Sequence, residues 1–135
     1  MPPAEDDSRK LIVVVEDDEQ VRGILVKLLE KNDYLVKTAE DGLKALQLLE
    51  EVRPDLLVVD VMMPRLDGFQ FVRAARFMKE NKAIPVIFVT AKTDAKSMIE
   101  GINLGAKFFL GKPFQVSDVL SKIKKALNEG SIRTR

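Results

Sequence analysis

Five short apolar runs alternate along the chain with five longer stretches in which apolar residues recur every three or four positions. The runs are Leu11 to Val15, Leu35 to Ala39, Leu56 to Val59, Val86 to Val89 and Phe108 to Leu110. Their length and their wealth of β-branched residues predict strands, and three of them are apolar enough to be covered on both faces, as inner strands of a parallel sheet are. Helical spacing is clearest at Val21, Ile24, Leu25, Leu28 and Leu29, and at Val116, Val119, Leu120, Ile123 and Leu127, and each set predicts an amphipathic helix. Sparser patterns predict helices over Leu43 to Glu50 (Leu43, Leu46, Leu49), Gly68 to Met78 (Phe71, Val72, Ala75) and Thr93 to Leu104 (Ala95, Ile99, Ile102). Five strand-then-helix units make an α/β fold with right-handed crossovers. Ligands of such folds sit at the carboxyl ends of the strands.

Outside this alternation the chain changes character. Residues 1–9 carry Pro2, Pro3 and clustered acids with almost nothing to bury, which predicts a mobile leader; residues 130–135 read as a tail or linker, leaving residues 10–129 as the folded domain. At 135 residues there is room for one domain. Twenty-two basic against 21 acidic side chains leave a net charge of +1, so no broad field draws nucleic acid or anionic membrane, and direct nucleic-acid binding is not expected. The absence of cysteine and histidine removes disulfides, thiol chemistry and the usual zinc sites, so a metal must be held by oxygen. With no apolar run long enough to span a bilayer, the chain reads as cytoplasmic.

The strand ends are where chemistry collects. The first strand runs into Glu16-Asp17-Asp18, the third into Asp60, the fourth into Thr90, and the fifth leads to Lys112-Pro113. Three consecutive acids would repel one another and Asp60 without a cation among them, and oxygen-only ligands favour Mg²⁺. Asp18 and Glu19 read as the cap and first turn of the following helix, Glu16 and Asp17 as metal ligands. Asp60 emerges from a buried strand. A carboxylate there is a competent nucleophile toward phosphorus, a metal and Lys112 can neutralise the charge that builds on phosphoryl oxygens, and Thr90 can offer its hydroxyl to the same oxygens. Pro113 after the site lysine is a candidate for a cis bond.

These residues resemble the receiver domains of two-component response regulators. The resemblance spans Leu11 to Leu127 and rests on Val14-Val15-Glu16-Asp17-Asp18, Val59-Asp60-Val61-Met62-Met63-Pro64 with Leu66-Asp67-Gly68, Val89-Thr90-Ala91, and Gly111-Lys112-Pro113-Phe114, in order and in register. It implies a flavodoxin-like doubly wound sheet of five parallel strands in the order 2-1-3-4-5, flanked by five helices. It implies that Asp60 accepts a phosphoryl group, that Mg²⁺ is held by Glu16, Asp17, Asp60 and the Met62 backbone carbonyl, and that Thr90 and Lys112 contact the phosphoryl. The donor it implies is a phosphohistidine on a sensor histidine kinase or a histidine phosphotransfer protein. Phe109 falls where the family places its switch aromatic, without the hydroxyl that many members carry there, and Gly111 stands where a larger residue is common. Thr90 and Phe109 would then pass the change to a surface formed by the fourth helix, fifth strand and fifth helix, with Lys92, Lys96, Met98, Asn103, Lys107 and Lys122, for a downstream protein or a second copy of the chain.

Other phosphate chemistries fit poorly. A flavin or nucleotide binder of this fold needs a Gly/Ser/Thr-rich loop after the first strand, and here that loop is acidic. A haloacid-dehalogenase-like phosphohydrolase needs a second aspartate where Met62 stands, and a P-loop fails at Pro113 and Ala106. The alternative of a different class is a receiver-like module that docks to partners without being phosphorylated.

Overall fold

The computed structural model describes residues 8–78 and 83–128. Strands β1 (Leu11–Val15), β2 (Leu35–Ala39), β3 (Leu56–Val59), β4 (Val86–Thr90) and β5 (Phe108–Gly111) alternate with helices α1 (Glu19–Lys31), α2 (Gly42–Leu49), α3 (Gly68–Arg76), α4 (Ala95–Asn103) and α5 (Val116–Ala126). All strand pairs are parallel, and the sheet runs β2-β1-β3-β4-β5. This is the doubly wound five-stranded architecture that the alternation and the resemblance predict. Apart from Ser8 and Arg9, the expected leader lies outside the described residues, and so does the tail expected over residues 130–135.

Because side chains alternate across a strand, the inner strands feed two separate cores. Val13, Val15, Leu57, Val59 and Phe88 face one core with Leu49, Phe71 and Val72 of α2 and α3; Ile12, Val14, Val58, Ile87 and Val89 face the other with Leu25 and Leu29 of α1 and Val119 and Ile123 of α5. β1 is buried along all but its first residue, and β3 and β4 are buried throughout, which explains why their sequences lack the polar alternation of a half-exposed strand. Among the described residues, four of the five helix starts are set by carboxylates: Asp18, Asp41, Asp67 and Asp94 each accept backbone N–H groups of the first turn.

Several boundaries and faces differ from the pattern. β4 and β5 each run one residue further, because Thr90 pairs with Gly111 and the Lys112 N–H still donates to the Thr90 carbonyl at 2.9 Å. α3 ends two residues early, where Phe77 and Met78 donate to the carbonyls three residues back instead of four. Ile24, Leu43 and Val116, counted toward the buried stripes of their helices, are 48%, 47% and 45% exposed. The largest departure is α4, whose predicted stripe Ala95, Ile99 and Ile102 faces outward while Ser97 and Gly101 face the sheet.

Candidate functional site

The backbone carries the site residues one step beyond the strands that aim them. Glu16 follows β1 and its N–H donates to the Ala39 carbonyl at 3.0 Å; Asp60 follows β3 and donates to the Val15 carbonyl at 2.9 Å; Lys112 follows β5 and donates to the Thr90 carbonyl at 2.9 Å. The ladder therefore continues into the site and fixes three Cα positions. The Arg22 guanidinium of α1, which the sequence reading did not single out, donates to the Glu16 carbonyl at 2.9 Å.

Within this frame the side chains converge. The Lys112 ammonium lies 2.9 Å from a carboxylate oxygen of Glu16 and 2.9 Å from Oδ2 of Asp60. The two carboxylates are only 2% and 5% exposed, so the lysine is the cation that makes their burial tolerable. Glu16 Oε2 also accepts the Asp18 N–H at 3.2 Å, and Asp60 Oδ1 accepts the Met62 N–H at 3.1 Å. Burial is the largest influence on Glu16 and the nearby Asp60 charge adds to it, so its carboxyl is pushed up to about 7 even though Lys112 pulls the other way. Burial pulls the Lys112 ammonium down, but its hydrogen bonds to Asp60 and Glu16 outweigh that and hold its pKa above the ordinary value.

Glu16, Asp17 and Asp60 bring carboxylate oxygens within 4.8 Å of one another, with Asp17 exposed and the other two buried. An all-oxygen set at a solvent-facing rim suits a hard divalent cation. Asp18, by contrast, is turned to α1, where its Oδ1 accepts the Gln20 and Val21 N–H groups at 2.9 and 3.2 Å. A cleft of about 730 Å³ opens beside the cluster, with Asp17, Met62, Asp67, Arg73, Lys92 and Glu100 in its wall. The cleft thus borders the buried carboxylates through Asp17 and Met62, and the Arg73–Glu100 ion pair at 2.9 Å joins α3 to α4 along it.

Thr90 is fully buried at the end of β4, and its hydroxyl accepts the Lys92 N–H at 3.1 Å. Phe109 is half-buried in β5, its ring centroid 5.8 Å from that of Phe88. Phe88 in turn meets Phe69 edge-on at 5.1 Å. The Lys112–Pro113 peptide bond is cis. Glu16, Asp17, Asp60 and Lys112 therefore form one cluster, Met62 lines the adjoining cleft, and Thr90 and Phe109 stand on the neighbouring strands.

Comparison with known proteins places this arrangement in a family. The model of the response regulator receiver domain matches residues 12–124. The response regulator MprA of Mycobacterium sp. strain KMS is 38% identical over 120 residues, which cover 89% of this chain and 51% of that protein. The chain thus spans about half the length of the curated relatives it matches. Among solved structures, the chemotaxis protein CheY4 of Vibrio cholerae superposes with a TM-score of 0.84 at 31% identity, covering 88% of this chain and 99% of that one. The non-phosphorylated receiver domain of HemR from Leptospira biflexa gives 0.82 at 30% identity, covering 94% and 99%. With the acid cluster and its lysine at the carboxyl edge of a 2-1-3-4-5 sheet, the chain belongs to the response regulator receiver domain family.

Proposed function

We propose that this chain is a phosphorylation-dependent signalling switch in which Asp60 takes a phosphoryl group from a phosphohistidine on a sensor histidine kinase or a histidine phosphotransfer protein. The observation that carries this reading is the Lys112 ammonium held 2.9 Å from both Asp60 and Glu16. A buried carboxylate with a fixed cation at its side suits attack on phosphorus. An Asp60 carboxylate oxygen bonds to phosphorus, the bond from phosphorus to the donor nitrogen breaks, and the electron pair leaves with the imidazole. Lys112 then faces a phosphoryl oxygen instead of a bare carboxylate.

Mg²⁺ is the proposed cofactor, with Glu16, Asp17, Asp60 and the Met62 carbonyl as ligands. When bound, it supplies positive charge against the phosphoryl oxygens. The chain's own contribution is to hold the acids together, to keep Lys112 in place and to keep Asp60 out of bulk water. Transfer and later hydrolysis of the phosphoryl are catalysed within this same domain. A cytoplasmic location follows from that reading, and no helix among the described residues is long and apolar enough to cross a membrane.

Output is proposed to leave by α4, β5 and α5, toward a downstream protein or a second copy of the chain rather than toward nucleic acid. The Thr90 hydroxyl accepts the Lys92 N–H and keeps its own hydrogen to donate to a phosphoryl oxygen, and the Phe109 ring on the adjacent strand has no hydroxyl to anchor it in either position. The exposed side chains of Met98, Ile99 and Ile102 support this face as the outlet. Lys122, expected on the same surface, is partly covered, with its ammonium 5.7 Å from the Phe108 ring centre.

The test is intact mass after incubation with acetyl phosphate. The wild-type chain should gain one phosphoryl mass with Mg²⁺ and none with chelator, and Asp60→Asn should gain none. A wild-type chain that gains nothing would leave the docking module as the better reading.

A further inference from the structure

The loop from β3 to α3 carries the proposed Met62 ligand, and its outer half is fastened to an element that contributes nothing to the site. Arg65 has φ 69°, in the left-handed region. The other positive-φ non-glycine residues among those described are Asp33 and Asn128, types that tolerate this conformation by hydrogen-bonding locally, whereas arginine has no such exemption. Its guanidinium reaches across to the turn before α2, where Nε donates to Asp41 Oδ2 at 3.2 Å and the terminal nitrogen donates to the same oxygen. Asp41 is 1% exposed and Arg65 58% exposed, so an outlying donor reaches a buried acceptor. Asp41 Oδ1 is meanwhile engaged by the Lys44 N–H at 2.8 Å. The Arg65 hydrogen bonds, with the Lys44 N–H second, hold the Asp41 carboxyl below the usual range. Next to this pair Leu66 lies flat on Gly42, where a Cβ would come within 2.6 Å of the Leu66 carbonyl oxygen. At its inner half the loop is tied by the Met62 N–H to Asp60 Oδ1 and by the Gly68 N–H to the Val61 carbonyl at 2.8 Å.

We propose that Arg65, acting through Asp41, is a positioning residue that holds this loop in the conformation presenting the Met62 carbonyl to the cation. The proposal rests on the reading of Glu16, Asp17 and Asp60 as a Mg²⁺ site. It separates two roles that a single contact could combine: offsetting backbone strain at residue 65, and fixing the loop's direction.

Arg65→Ala removes the ion pair and keeps the strain; Arg65→Gly removes both; Arg65→Lys keeps a point charge without the two-pronged fork. Each is titrated with Mg²⁺ by calorimetry, and its melting temperature is read in chelator. The alanine and glycine chains should bind Mg²⁺ about 5-fold more weakly, a smaller loss than the roughly 10- to 100-fold seen for groups bonded directly to metal ligands. Lysine should recover part of that loss. Should the alanine chain melt too low to titrate, the glycine chain, free of strain, decides. Wild-type affinity in the glycine chain overturns the proposal whatever happens to its melting temperature. A wild-type chain that takes up no Mg²⁺ overturns the underlying metal reading first.

Discussion

α4 and α5 carry the same kind of apolar spacing, and the fold holds them by opposite means. α5 buries Val119 and Ile123 completely against α1 and the sheet, yet its first turn has no side-chain cap, Gln115 making none. α4 is capped firmly, Asp94 accepting the Ser97 N–H at 3.1 Å and the Ser97 hydroxyl at 2.8 Å, yet it buries only Ser97 and Gly101 and leaves Ile99 and Ile102 58% and 65% exposed. One helix is secured by tertiary burial, the other by its own first turn and an exposed ion pair to α3. A helix of the second kind can change its seat on the sheet without unfolding, because little apolar area has to be uncovered. α5 is seated by its buried side chains, and α4 is the helix with the less apolar area to uncover.

The contrast breaks first at Ile123. Ile123→Ala should cost about 2–5 kcal/mol in denaturant unfolding, as expected where a fully buried chain leaves a cavity. A loss under about 0.5 kcal/mol, the range of ordinary surface changes, would mean that α5 is not held by burial. Gly101→Ala comes next. An added Cβ would sit 2.8 Å from Phe109 Cδ2, so helix or ring must give way at about 1–3 kcal/mol, with the Phe109 and Phe88 ring resonances shifting. A cost near zero with shifted rings sharpens the contrast, because it shows α4 sliding off its seat at almost no expense. Ile102→Ala should change stability by less than about 0.5 kcal/mol.

Acid gives the smallest effect and the most local one. The Ser97 hydroxyl, and then its N–H, hold the Asp94 carboxyl down at about 2 from an ordinary 3.8. A depressed folded value means that the cap's contribution is complete above the ordinary value and is lost as pH falls through the folded one. Between those limits the Ser97 and Met98 amides should lose exchange protection relative to α5. Uniform loss across both helices would show that global unfolding came first.

The strands were legible almost to the residue, since a run such as Leu56 to Val59 is too short for a helix, rich in β-branched residues and buried on both faces. The acid cluster and Lys112 were legible for a similar reason: like charges at strand ends demand a partner. The facing of α4 was not. Periodicity locates a stripe but says nothing of what lies opposite, and here the sheet presents Phe88 and Phe109, against which only the small side of the helix fits. The Arg65–Asp41 contact was hidden too. Asp41-Gly42 announces a capped helix start, but nothing in Pro64-Arg65-Leu66 announces a reach across 24 positions. Arg22 was equally hidden, because its partner is a main-chain carbonyl, which carries no mark in a sequence.

The hydrogen-bond ladder that runs into the site has a consequence for descent. The amides of Glu16, Asp60 and Lys112 are bonded whichever side chains they bear. Losing the reactivity proposed for Asp60 therefore asks nothing new of the sheet, and Asp60→Asn would retain both the strand and the side-chain oxygen that accepts the Met62 N–H. Scaffold and reaction are inherited together but can be lost separately. If the proposed phosphotransfer holds, a lineage that abandons it lies a single substitution away, and the silent descendant would be nearly superimposable on its parent.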